Sequence, residues 1–198
     1  MAERMAHGCF VDIYWMPMAA GTASRVRLWS LAAWEALDAV AHRRSRKKLY
    51  HSALKVRTAA GENYTIELTP VFGFEPAPPA MTGPVGFRGA DRVRWFRYQM
   101  RCVRADSLPD EEWSVSQTRL SDDARIAESI LVAAADVPPH TWGRRAKGTS
   151  EMWTSDSAIS WLVRRVGLDA HAISIPQGGR APGWVAGLEV PCEALTAG

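Results

Sequence analysis

The run His51-Ser52-Ala53-Leu54-Lys55-Val56-Arg57-Thr58-Ala59-Ala60-Gly61-Glu62-Asn63-Tyr64-Thr65-Ile66-Glu67-Leu68 decides the fold. Two alternating segments flank a turn containing Ala60-Gly61, the pattern of an antiparallel β-hairpin. A period of two places Leu54, Val56, Tyr64, Ile66 and Leu68 on one face. With the turn centred near Ala59, His51 falls opposite Glu67, and both project from the other face. A histidine with a carboxylate opposite it is a base with its orienter, the pair a serine nucleophile needs because its hydroxyl does not ionise near neutral pH.

Outward from the hairpin, Phe10 to Met16 predicts a strand ended by Pro17 and the turn Gly21-Thr22-Ala23-Ser24. From Arg25 to about Arg44 the residues Leu28, Leu31, Ala32, Ala36 and Val40 recur at helical spacing, with Trp29 and Trp34 beside them. This helix runs into His42-Arg43-Arg44-Ser45-Arg46-Lys47-Lys48, read either as a solvated helix end or as a surface for anionic lipid. Phe72 to Pro84, rich in proline and glycine, predicts a loop. Arg94 to Arg104 predicts a strand with Phe96, Tyr98, Met100 and Cys102 on its apolar face. Ser121-Asp122-Asp123 caps a helix through Ala135, closed by Pro138-Pro139. Trp142 to Ser150 reads as a basic connector, and His171 to Ile175 as a last short strand. Pro176 to Trp184 lacks the Gly-Lys-Ser/Thr ending of a phosphate loop and shows no helix after it. The sum is an α+β chain, a mainly antiparallel sheet flanked by helices, in one domain over residues 1–198.

The remaining piece of chemistry lies in Trp153-Thr154-Ser155-Asp156-Ser157-Ala158-Ile159-Ser160-Trp161-Leu162. Ala158, Ile159, Leu162 and Val166 return at helical spacing, and Gly167 follows where helices stop. The stripe puts Ser155 inward at the helix start, whereas Ser157 and Ser160 share a face with Arg164. Free N–H groups and the positive end of the helix dipole there suit a developing oxyanion. Taken alone, Ser155 reads as a helix cap, since capping serines far outnumber nucleophilic ones. Joined to His51 and Glu67, it completes a Ser-His-Glu triad.

The order of these parts resembles the circularly permuted papain-like fold of lecithin–retinol acyltransferase and its relatives. His51-Ser52-Ala53-Leu54 matches the family's strand opening with histidine, Tyr64-Thr65-Ile66-Glu67-Leu68 its returning strand, and Thr154-Ser155-Asp156-Ser157-Ala158 its nucleophile motif at a helix start. Ser155 stands where the family has cysteine, and Glu67 where many members have a second histidine. The resemblance implies a permuted papain-like architecture and acyl transfer or hydrolysis through an acyl-Ser155 intermediate. Lipid-like esters or amides are the favoured substrates. It also leaves two alternatives: a catalytically inactive ligand-binding or regulatory module of the same fold, and a peptide or peptidoglycan amidase.

Composition bounds the partners. A net charge of +3 over 198 residues, with 47% hydrophobic and 23% charged residues, is ordinary for a globular protein. It gives no reason to expect nucleic acid as a partner. Cys9, Cys102 and Cys192 have no metal-like spacing and are odd in number, which fits reduced thiols in the cytoplasm. The five histidines show no ligand spacing, so neither metal nor cofactor is expected. No apolar run approaches a membrane span. Arg180 is placed at the pocket as a contact for a substrate carboxylate or phosphate, with Trp184 beside it as a second substrate-binding residue.

Overall fold

The computed structural model describes residues 8–18, 35–41, 43–71 and 80–192. In chain order the elements are β1 (Phe10–Pro17), α1 (residues 35–41), β2 (Lys48–Arg57), β3 (Asn63–Pro70), β4 (Met81–Pro84) and β5 (Arg97–Arg104). Then follow β6 (Ser116–Ser121), α2 (Ala124–Ala133), α3 (Ser155–Arg165), β7 (Gly179–Arg180) and α4 (Trp184–Glu189). The sheet runs β4-β5-β3-β2-β1-β6, with every neighbouring pair antiparallel, and β7 adds to β2 in parallel. This is an α+β fold on a mostly antiparallel seven-stranded sheet. The expected helix start with Ser24, Trp29 and Trp34 lies outside the described residues, as does 72–79 of the expected loop.

The hairpin forms because its even positions on β2 meet even positions on β3. Leu54 pairs with Ile66 and Val56 with Tyr64, and Leu54, Val56 and Ile66 are wholly buried. Trp15 of β1, Tyr98 and Met100 of β5, Ile130 of α2, and Ile159 and Leu162 of α3 close over this face as one apolar cluster. α2 begins at Asp123, whose side chain accepts from the Arg125 N–H at 2.8 Å. The opposite face has a smaller apolar group, Tyr14, Met16, Ala53 and Leu108, set among polar side chains.

Five details depart from the sequence reading. The strand expected from Arg94 begins only at Arg97, because Arg94–Phe96 is a 3-10 turn, and Phe96, expected on the apolar face, is 47% exposed. The turn centre lies one residue later than Ala59. The Thr58 N–H bonds to the Glu62 carbonyl, and the register shifts by two: Glu67 stands level with Ala53, and His51 with Thr69. The end of the expected loop is the edge strand β4, whose Gly83 has no room for a side chain. A Cβ there would lie 2.3 Å from Cζ of the Tyr98 ring. Proline and glycine are tolerated in such an edge position, where one side of the ladder is unpaired. His171 to Ile175 forms no strand; the late strand is β7, four residues further on. The glycine-rich segment does lead into a helix, α4.

Candidate functional site

The start of α3 is engaged in holding the fold. Thr154 Oγ1 accepts from the Asp156 and Ser157 N–H groups, and Ser157 Oγ accepts the Thr154 N–H at 2.9 Å, a reciprocal capping box. Those N–H groups are therefore not available to an oxyanion. Ser155 is buried, and its hydroxyl takes part in none of these bonds. Its neighbour Asp156 has the decisive contacts: Oδ1 accepts from both the N–H and the hydroxyl of Ser52, each at 2.8 Å. Oδ2 is buried without a hydrogen-bond partner among the described residues. Burial pushes the Asp156 carboxyl up to about 7, against the pull of the two Ser52 bonds, and the charge of Glu151 adds to the rise.

Ser52 facing α3 means that His51 faces away from it, since neighbours on a strand point to opposite faces. The register agrees: Ser52 is level with Trp15 of the main core, His51 with Met16 of the smaller apolar group. The sheet itself thus separates Ser155 from His51. Glu67 is on the His51 face, but it is two residues out of register with His51. It meets Arg101, its direct cross-strand neighbour, at 3.2 Å. Burial raises the Glu67 carboxyl, with Arg101 opposing and Asp110 adding. Burial lowers the His51 imidazole, and Asp110 opposes that shift. The structure therefore brings His51 and Glu67 to one face and leaves Ser155 on the other; no hydrogen bond among the described residues joins any two of them.

The stripe that Ser157 and Ser160 share with Arg164 on α3 is a buried polar seam. Ser157 Oγ donates to the Gly183 carbonyl at 2.6 Å, Ser160 Oγ donates to the Trp184 carbonyl at 2.8 Å, and Arg164 donates to the carbonyls of Gly187, Leu188 and Val190. Small side chains let α4 approach closely. A Cβ on Gly187 would sit 2.0 Å from the Ser157 carbonyl oxygen.

Beside this seam lies a cleft of about 630 Å³ that includes Arg180 and Trp184. Met152, Ile175, Ala181, Trp184 and Val185 give it an apolar wall, and Arg44, Lys47, Arg144, Arg145 and Arg180 surround it, against Asp38 and Glu151. Two of the cations are built into the structure. Arg44 meets Glu35 at 2.5 Å and also Asp38; Arg180 bridges Asp38 and Glu151, whose other oxygen accepts the Gly183 N–H at 2.8 Å. The Arg144 Nε donates to the Gly86 carbonyl at 2.6 Å. Lys47 and Arg145 are exposed and hold no ion pair among the described residues. The basic segment before β2 thus belongs partly to this cleft. Ser155, His51 and Glu67 do not line it.

Sequence reasoning missed the cleft's other contributors because Arg44, Arg145 and Arg180 are about a hundred residues apart or lie in irregular connections. The available signal was Gly183 and Gly187, four apart, opposite Ser157 and Ser160. Compared with protein-family models, curated proteins and solved structures, the chain matches none of them.

Proposed function

We propose that the protein is a binding module for an amphipathic anion, a carboxylate or phosphate with an apolar body, held in the cleft at Arg180 and Trp184. One observation carries this reading: the cleft sets an apolar wall under a predominantly cationic rim. Its volume falls in the range of small-molecule pockets, roughly 300–1,000 Å³. The head group meets Lys47 and Arg145, whose charges are not already spent on a partner among the described residues, while the body lies on Trp184, Ile175 and Met152. An acyl-Ser155 route has little support, because a serine needs a base within hydrogen-bond reach and the sheet stands between Ser155 and His51. The cysteines, free in the structure, fit a cytoplasmic setting.

Titration with decanoate and with decanol, followed by calorimetry, tests the reading. Decanoate should bind at least about tenfold more tightly than decanol, and Lys47→Ala/Arg145→Ala should erase that preference, since charge-assisted contacts are each worth about 1.5–3 kcal/mol. Equal affinity for acid and alcohol, or binding of neither, overturns it. A fluorophosphonate adduct on Ser155 that disappears in His51→Ala would restore the hydrolase reading.

A further inference from the structure

We propose that the loop of residues 85–97, between β4 and β5, docks the protein on an anionic lipid surface. Phe87, Val93, Trp95 and Phe96 are 59%, 50%, 69% and 47% exposed, a concentration of large apolar side chains within ten residues. Arg88, Arg92 and Arg94 are interleaved with them, all exposed, and Asp91 is the one acid in the loop. Aromatic side chains that seat at the head-group level, surrounded by guanidinium groups that pair with phosphates, are the chemistry of an anionic bilayer interface.

The exposure is a consequence of order. Two 3-10 turns, Ala90–Arg92 and Arg94–Phe96, satisfy the backbone within the loop, with Ala90, Val93 and Phe96 N–H groups bonding three residues back. The Val85 N–H closes the base on the Phe96 carbonyl at 2.8 Å, and Arg97 Nε ties the Asp91 carbonyl. With these backbone groups occupied, the loop is held by its own bonds, which lowers the cost of ordering it on binding. The Phe87 and Phe96 rings lie 6.3 Å apart at 49° and form an apolar knob. A single-stranded nucleic acid needs open ring faces along a cationic groove; the Phe87 and Phe96 rings, tilted toward each other, suit acyl chains better.

The knob stands at the cleft rim. Gly86, at its root, accepts from Arg144 of the cleft wall and donates to the Trp142 carbonyl at 2.9 Å. Docking there brings the cleft to the lipid surface, yet the proposal needs no ligand in the cleft.

Co-sedimentation of the full chain with phosphatidylcholine vesicles, with and without phosphatidylserine, decides it. Binding is expected with phosphatidylserine only, and to weaken as salt rises. Arg88→Ala/Arg92→Ala/Arg94→Ala should weaken it by roughly fivefold per arginine, and Trp95→Ala by at least about tenfold. Trp95→Phe should retain most of it, and decanoate binding should be unchanged in every loop variant, which separates this proposal from the reading of the cleft. Circular dichroism identifies any variant that has lost its fold, and the single variant Arg88→Ala, at an exposed side chain and expected to bind roughly fivefold more weakly, then carries the comparison. The proposal is overturned by vesicle binding that the loop variants leave intact, by no binding at any composition, or by tighter binding to an oligothymidine strand than to vesicles. Loss of vesicle binding in Arg43→Ala/Arg46→Ala alone would move the contact to the basic segment before β2 and overturn it as well.

Discussion

Asp156 is a carboxyl enclosed between α3 and β2, with one oxygen satisfied by Ser52 and the other without a hydrogen-bond partner among the described residues. Its native pKa of about 7 lies well above the ordinary aspartate value of about 3.9. Between those values the folded protein holds a proton that the unfolded chain has released. Stability is therefore fully present below the ordinary value and is lost as pH rises toward about 7, by roughly 1.4 kcal/mol per unit at most. Asp156→Asn retains an oxygen for the Ser52 N–H and hydroxyl and never ionises. In urea denaturation, the wild type should lose on the order of 2 kcal/mol more than this variant between pH 5 and pH 7. Parallel losses would mean that Asp156 titrates as it does in the unfolded chain. Asp156→Ala, by contrast, strips the acceptor from two buried Ser52 donors and should cost about 2 kcal/mol or more even at pH 5.

Among the elements, the α3–α4 contact is the one set by side-chain size. Alanine is favoured over glycine within a helix by about 1 kcal/mol, yet a Cβ at Gly187 would meet the Ser157 carbonyl oxygen at 2.0 Å and Ser160 Oγ at 2.1 Å. Because a carbonyl of the helix backbone cannot swing aside, α4 must move, and Gly187→Ala should destabilise the protein by about 1–3 kcal/mol. Val185→Ala, in the same helix but 40% exposed, should change little. A neutral Gly187→Ala in thermal denaturation would mean that the two helices are not locked. This contact also marks where the sequence was legible. Strands β1, β2, β3 and β5 and helices α2 and α3 follow from periods of two and 3.6, because their patterned faces meet one core. The polar stripe Ser157, Ser160, Arg164 has the same pattern whether it meets water or the carbonyls of a neighbouring helix, so its burial was hidden. The hairpin face of His51 and Glu67 was readable, but their pairing was not, since a turn centre moved by one residue slides the partners by two. That Ser155 and His51 oppose each other across the sheet depends on which residue of β2 meets α3, a tertiary choice that Ser52 and Asp156 make.

At the scale of the whole molecule, two sets of titrating groups pull stability in opposite directions. Asp156 and Glu67 have raised values from burial, so their contribution falls as pH rises above the ordinary carboxylate range. His51 and His140 have values lowered by burial, which favours the neutral imidazole in the fold over the open chain. The unfolded chain takes up protons there first, so their contribution is present above about 6.5 and is lost as pH falls below it. Glu35, held below the usual range by its Arg44 hydrogen bond, and Asp123, by its bonds from Arg125, act only in more acid solution. Between about pH 5 and 6.5 the histidine and carboxylic acid slopes therefore oppose each other, and the wild-type stability curve should be flatter there than that of a variant without the two imidazoles. His51→Gln/His140→Gln removes the rising component and leaves the buried acids. Stability of that variant, from urea denaturation at half-unit intervals, should fall continuously from pH 5 to 7, with its largest gain relative to wild type at the acid end. A variant curve parallel to the wild-type curve would mean that the two imidazoles protonate in the fold as freely as in the open chain, and that the sheet face carrying His51 admits water.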